Sequence, residues 1–318
     1  IFQIKKITVY LGHKKVSLCP SLKCLQYHEA NATIRMMLLS TVLQMSQKVA
    51  VITGGAVGIG FETAGRFIEK GAKVVLLDID EVQGLASAKT LNNKYGNNKA
   101  VFFKCDVTSD LEEVYKKIIT QFKTVDILMN NAGILNDLLI KKTIDINVTA
   151  LIEWSYKFLE HMRTDKGGKG GAIINLASIY GYRVDQFLPI YQASKFAVMG
   201  FTKSLGHVYN YNRTGVRVVA ICPGFTETKL TAEPKTRNDS QLQADFTKFV
   251  AAQAWQKVDS VGKAAVEIFE TKESGTAWLI EGAKPLVQLI NMLKLKKKLN
   301  KPFCQNHMLL KYKPSRRI

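Results

Sequence analysis

From Lys48 to about Leu286 the chain alternates short, β-branched apolar runs with longer stretches of helical spacing or length, and few architectures accept that alternation. The runs predict strands at 49–53, 73–78, 100–105, 125–130, 171–177, 216–221 and 276–280. Residues 58–70, 81–95, 109–122 and 190–209 predict helices between them. Strands that are apolar throughout and separated by helices belong to a parallel sheet covered on both faces. Right-handed crossovers then give a doubly wound arrangement. With no repeat or long linker inside it, the segment 46–286 is expected to be one α/β domain on a seven-stranded, mostly parallel sheet.

The flanks follow another pattern. The formal charge of +19 divides into +5 for residues 1–45, +9 for residues 291–318 and only +5 for everything between. The excess therefore says little about what the body binds. Residues 1–45 show neither alternation nor a capped helical stripe, and Met45 stands just before a strong strand. They are expected to be a flexible extension, or sequence outside the mature protein. The basic run Lys294-Leu295-Lys296-Lys297-Lys298 and the pair Arg316-Arg317 read either as a solvated tail or as a nuclear address or anionic-surface patch. Binding of nucleic acid or membrane, if any, is expected from this tail and not from the core. The apolar stretch 36–45 is half the length of a membrane span and lacks a small-residue cleavage site. Five scattered cysteines, Cys19, Cys24, Cys105, Cys222 and Cys304, argue for a reducing, cytoplasmic setting. No Cys-x-x-Cys or His-Glu-x-x-His occurs, so no metal is expected.

The chemistry-bearing motifs sit at predicted strand ends. After the first strand comes Thr53-Gly54-Gly55-Ala56-Val57-Gly58-Ile59-Gly60. Glycines allow a tight turn and close backbone approach, and the amides opening the next helix face a phosphate. The second strand ends at Asp78, placed to accept both hydroxyls of an adenosine ribose and to repel a 2′-phosphate. With Ile79 next and no Lys or Arg between Gly54 and Gly60, this selects NAD over NADP. Asp106, past the third strand, suits an adenine amino group. Asn130-Asn131-Ala132-Gly133 ends the fourth strand and suits a loop passing close under a cofactor. Asn147 lies in a helical stretch where Asn is a poor former. Ser178 ends the fifth strand without a Gly-x-Ser-x-Gly elbow, so it reads as a hydrogen-bond donor and not a nucleophile. After the sixth strand, Cys222-Pro223-Gly224-Phe225-Thr226-Glu227-Thr228 makes a rigid turn with Thr228 placed to touch the cofactor.

Tyr191 and Lys195 stand four residues apart on a predicted helix and share a face. A phenol has an ordinary pKa of ~10. An ammonium ~4 Å away, at an effective dielectric of ~20, is worth roughly 4 kcal/mol. That would bring the phenol near neutrality, where a general base works best. An isolated Tyr-x-x-x-Lys is usually an ordinary amphipathic helix; here the company of the other motifs decides.

Taken in order, residues 53–60, Asp78, Asp106, residues 130–133, Asn147, Ser178, Tyr191, Lys195 and Pro223-Gly224 resemble the short-chain dehydrogenases/reductases over roughly residues 46–286. Residues 170–175 and 215–228 resemble in particular members of the NAD-linked 15-hydroxyprostaglandin dehydrogenase and insect alcohol-dehydrogenase types. The resemblance implies a Rossmann-type fold and an NAD-dependent oxidoreductase acting on a secondary alcohol or its ketone. It implies that Tyr191 takes the alcohol proton, Lys195 lowers the tyrosine pKa and holds the nicotinamide ribose, Ser178 binds the substrate oxygen and Asn147 orders a relay water. Gly54, Gly58, Ile59, Gly60, Asp78, Asp106, Val107, Asn131, Ala132, Gly133, Pro223, Gly224 and Thr228 would line the cofactor with Tyr191 and Lys195. Small residues on the catalytic helix (Ala193, Ser194, Ala197, Gly200) would admit a homodimer contact. Leu188 stands where the prostaglandin type carries a substrate-contacting glutamine, which argues against prostaglandin. Tyr182, Phe187, Phe225 and residues 226–255 are expected to shape an apolar pocket for a small hydrophobic alcohol, under a lid. A catalytically idle structural or storage relative is the rival reading.

Overall fold

The computed structural model describes two short strands, β1 (Thr8–Leu11) and β2 (Lys14–Ser17), and residues 45–289 apart from 233, 235, 237 and 238. The expectation of a flexible extension over 1–45 otherwise lies outside the described residues, as does that of a basic tail over 287–318 from residue 290 on; its first residues, 287 and 288, instead join the main sheet. Strands β1 and β2 pair antiparallel as a separate two-stranded sheet, a hairpin that the weak alternation of this segment did not announce.

The main sheet holds β3 (Val49–Thr53), β4 (Lys73–Asp78), β5 (Ala100–Lys104), β6 (Ile127–Asn130), β7 (Gly171–Leu176), β8 (Val216–Pro223), β9 (Ala277–Ile280) and β10 (Val287–Gln288). Its order is β10-β9-β8-β7-β6-β3-β4-β5. Every pair is parallel except β9 with β10. The sheet therefore has eight strands where seven were expected. The added one is two exposed residues long, too short to give a periodic signal, and pairs only along the outer edge of β9.

Both faces of the sheet are covered, which explains its unbroken apolar strands. Ala50, Ile52, Val74, Leu76, Ile127 and Met129 point to one side, against α1 (Gly58–Glu69), α2 (Glu81–Tyr95) and α10 (Val258–Thr271). Their neighbours Val49, Val51, Val75, Leu77 and Leu128 point to the other, against α3 (Leu111–Phe122) and α5 (Leu151–Met162), where Trp154 and Phe158 stack 6.0 Å apart. Helix α5 continues α4 (Ile140–Ile144) through a π-helical turn at Asp145–Ala150, a distortion that often marks a functional position. Pro189 opens the long helix α6 (Pro189–Leu205), followed by α7 (Val208–Thr214). Between β8 and α10 lie α8 (Lys229–Ala232) and α9 (Ser240–Ala251).

A buried polar ladder crosses this core. Asn130 Nδ2 donates to Ser155 Oγ (2.8 Å) and Asn175 Oδ1 (2.9 Å), and Asn175 Nδ2 donates to Thr202 Oγ1 (2.9 Å). It ties β6 and β7 to α5 and α6, and its members are satisfied, as burial requires.

Candidate active site

The strand order reverses between β3 and β6, and a cleft opens at the carboxyl edge of the sheet there, where ligands bind in open α/β sheets. The cleft is about 560 Å³. Gly54, Gly58, Ile59, Asp78, Asp106, Val107, Asn131, Ala132, Gly133, Ser178, Tyr191, Lys195, Pro223, Gly224 and Thr228 all line it.

Along one wall the glycine loop is held by its neighbour. Asn131 Nδ2 donates to the Thr53 and Gly54 carbonyls (2.9 and 2.8 Å), and Thr53 Oγ1 accepts the amides of Asn131 and Ala132 (3.0 and 3.1 Å). Gly54 and Gly58 have φ of +62° and +60°, a region that disfavours side chains. Gly60 serves differently: a Cβ there would stand 2.3 Å from the Gly54 carbonyl oxygen. It permits the turn to close and is not part of the cleft wall. Helix α1 opens on Val57 without a side-chain cap and with no acid in its first turn. Its leading amides remain for an anion. Asp78 accepts from the amides of Ala56 (3.1 Å) and Asp80 (3.2 Å), which fixes its carboxylate beside the loop. A left-handed glycine cradle, an uncapped helix start and an adjacent carboxylate fit a dinucleotide.

Across the cleft stand Ser178, Tyr191 and Lys195. Tyr191 is buried with its phenol beside the Ser178 hydroxyl. The Lys195 ammonium lies 5.5 Å from the centre of the Tyr191 ring and donates to the Leu176 carbonyl (2.8 Å). The pair shares one face of α6, as the spacing required. The expected electrostatic outcome does not follow. Burial pushes the phenol up to about 12, against a smaller downward pull from Ser178. Burial also pushes the Lys195 ammonium down to about 8. Desolvation dominates both groups, and the hydrogen bond of the ammonium goes to a carbonyl and not to the phenol.

Asn147 lies behind the wall, in the π-helical turn. Its Oδ1 accepts from the Ile134 amide and its Nδ2 donates to the Ile134 carbonyl (both 2.9 Å) and to Ser194 Oγ (3.1 Å). Its side chain thus clamps the strip after Gly133. Of the residues expected to shape the substrate end, Phe225 lines the cleft, whereas Tyr182 and Phe187 pack behind it. Phe187 meets both Phe246 and Phe249 at a tilt, ring centres 5.1 Å apart. Of the stretch 226–255, Thr226 and residues 228–231 line the cleft, and Leu135, Ile179 and Tyr180 complete the wall. Tyr180 meets Tyr191 and Phe225 edge-on at 6.1 and 6.2 Å. Its buried hydroxyl faces Asp185 outside hydrogen-bonding geometry. Asp137, Tyr180 and Gln256 escaped the sequence reading; none carries a spacing or composition signal.

Among the described residues no cluster of His, Cys, Asp or Glu could hold a metal ion, and no helix is long and apolar enough to cross a membrane. The family model "short chain dehydrogenase" matches residues 48–239. The chain is 38% identical over 190 residues to 15-hydroxyprostaglandin dehydrogenase [NAD(+)] of Homo sapiens, covering 59% of this chain and 71% of that protein. It is 33% identical over 243 residues to alcohol dehydrogenase 2 of Ceratitis cosyra, covering 74% and 92%. Among solved structures it resembles a 3-ketoacyl-(acyl-carrier-protein) reductase from Brucella melitensis complexed with NADH, with TM-score 0.63 and 26% identity over 75% of this chain and 98% of that one. With the ordered cleft residues, these matches establish that the chain belongs to the short-chain dehydrogenase family of oxidoreductases.

Proposed function

We propose that the protein is an NAD-dependent dehydrogenase that oxidises a small hydrophobic secondary alcohol, or reduces the corresponding ketone. The observation that carries this reading is the burial of Tyr191 and Lys195 together, beside Ser178, in the cleft that the glycine loop also lines. Asp78 at the loop favours the unphosphorylated ribose of NAD, and the Gly54–Gly58 turn with the first amides of α1 holds the pyrophosphate. Bound NAD supplies the hydride-accepting ring. Ser178 Oγ donates to the substrate oxygen, and Tyr191 Oη takes the alcohol proton. Lys195 Nζ would hold the nicotinamide ribose. Asn147 steadies the strip that bounds the site and orders a relay water. Leu135, Ile179, Tyr180 and Phe225 offer the carbinol substituents an apolar wall, which suits alkyl groups better than charged ones.

A storage or scaffold role is disfavoured by Lys195. A cation buried so deeply that its pKa falls to about 8 costs stability, and a protein without turnover has no use for it. We also infer that the catalytic unit is the segment 46–286 together with β10, which adds residues 287 and 288 to its sheet, and that it works in the cytoplasm. A homodimer is supported by Ala193, Ala197 and Gly200, which are exposed on one face of α6, though not by Ser194, which is buried against Asn147. Phe196 on the same helix is exposed, as is Tyr156, which meets Phe201 edge-on at 5.8 Å.

The test is a panel of secondary alcohols with NAD and with NADP, followed by nicotinamide absorbance. Turnover with NAD on small apolar alcohols is expected. Turnover on none of them, or with NADP alone, would refute the proposal.

A further inference from the structure

We propose that Asp137 is a positioning residue: it fixes where the Tyr191 phenol stands relative to the cofactor side of the cleft. The inference rests on the assignment of Tyr191 as the base. Helix α6 begins with Pro189, which has no N–H, so the first amides needing a partner are those of Ile190 and Tyr191. No neighbour in sequence supplies it. The carboxylate of Asp137, only 4% exposed, arrives from 53 residues upstream and accepts both, Ile190 N to Oδ2 at 2.8 Å and Tyr191 N to Oδ1 at 3.0 Å. A buried anion at the positive end of a 17-residue helix is electrostatically well placed.

The same segment reaches the other side of the site. Gly133, Ile134 and Leu135 line the cleft, and both backbone groups of Ile134 are held by Asn147 (2.9 Å each). Thr143 Oγ1 donates to the Asn136 carbonyl at 2.8 Å. A Cβ on Gly133 would come within 3.9 Å of Lys195 Nζ. Residues 133–137 therefore form a short, tethered strip with the cofactor loop at one end and the backbone amide of Tyr191 at the other. Any shift of Asp137 is passed to the phenol, and a misplacement of about 1 Å in a reacting group can cost ~10²-fold in rate.

Asp137→Asn separates positioning from plain helix capping. The amide keeps the volume and one acceptor, but presents an NH₂ group to the second helix amide. We expect kcat for alcohol oxidation to fall ~10- to 100-fold, with the Kd for NAD within about threefold of the parent by calorimetry and a cooperative melt retained. Without cofactor, isotope-labelled tyrosine NMR, with the Tyr191 signal assigned from Tyr191→Phe, should show the phenol ionising at lower pH in Asp137→Asn as it becomes hydrated. Should Asp137→Asn not fold, Thr143→Val loosens the same strip without touching the buried charge, and the same split is expected at smaller size. A folded Asp137→Asn with kcat within twofold of the parent and an unchanged Tyr191 titration would overturn the proposal, as would equal losses in kcat and NAD affinity. Tyr191→Phe run alongside separates the two ideas: if it turns over like the parent, the base assignment fails, and if it alone is inactive, only the role of Asp137 fails.

Discussion

The wall of the cleft built by the glycine loop and the wall built by Tyr180, Phe225 and residues 226–231 meet the same space by different means. On the first, backbone geometry dictates residue type: left-handed φ at Gly54 and Gly58, a 2.3 Å encroachment at Gly60, and an amide at Asn131 that has to donate to two carbonyls. On the second, rings pack on rings. Phe225 leans on Tyr180, Phe249 and Trp255, and Phe187 on Phe246 and Phe249. Another set of apolar side chains of equal volume would serve there at modest cost. The first wall is specified by chemistry and the second by bulk, so one holds a constant ligand while the other is open to change with the substrate.

Substitutions should respect that division. Between the walls, Tyr191→Phe is expected to lower kcat about 10³-fold with little change in NAD affinity. Lys195→Met should be comparably inactive yet melt at a higher temperature, because it removes a buried charge. The sign follows from its lowered pKa: from about pH 8 up to the ordinary lysine value the unfolded chain holds more protons, so the present cation costs most below that window and the cost fades as pH rises through it. A Lys195→Met protein less stable than the parent would contradict this. On the first wall, Asp78→Ala should erode the preference for NAD over NADP by ~10- to 100-fold in kcat/KM, the loss of one or two charged hydrogen bonds. An unchanged preference would remove Asp78 from cofactor selection.

The pH profile probes the base directly. A phenol pushed up to about 12 by burial offers more base as pH rises, so kcat/KM for oxidation should climb about tenfold per pH unit from ~7 and bend where the Lys195 ammonium, pushed down to about 8, loses its proton. A plateau reached by pH 7 would show that the working complex makes the phenol acidic. Gly60→Ala should act on stability, costing about 1–3 kcal/mol by overpacking and lowering Tm by several degrees, since its Cβ meets backbone. On the second wall, Phe225→Ala should change the ranking of alcohol substrates only several-fold and leave NAD affinity alone. If it lowered NAD affinity as Asp78→Ala does, the two walls would not be separable.

What could be read beforehand follows the same line. Strand periods and the residues at strand ends were legible because each answers to a local rule: glycine for a left-handed turn, carboxylate after β4, Tyr and Lys one turn apart. Asp137 was not, because its partners lie 53 and 54 residues away and an aspartate in a loop looks like any other. The Asn130–Asn175–Thr202 ladder was hidden for the same reason. The acidity expected of Tyr191 failed on a quantity that sequence spacing does not carry, the depth at which both groups are buried. Residues 287–288 were too few to have a period.

The neck of residues 226–256 has a consequence of its own. Thr226 and Gln256 form a bridge, and their flanking amides bond Phe225 to Gln256 and Gln256 to Glu227 (2.9 Å each). The buried Gln256 side chain donates to Thr226 Oγ1 and the Ile280 carbonyl and accepts from the Ala283 amide. Both ends of the excursion are thus stitched to each other and to the sheet, so what lies between is a cassette. Exchanging the segment between these ends would keep its anchorage to the sheet, while Thr226 and Thr228, which line the cleft, would have to be carried over with it.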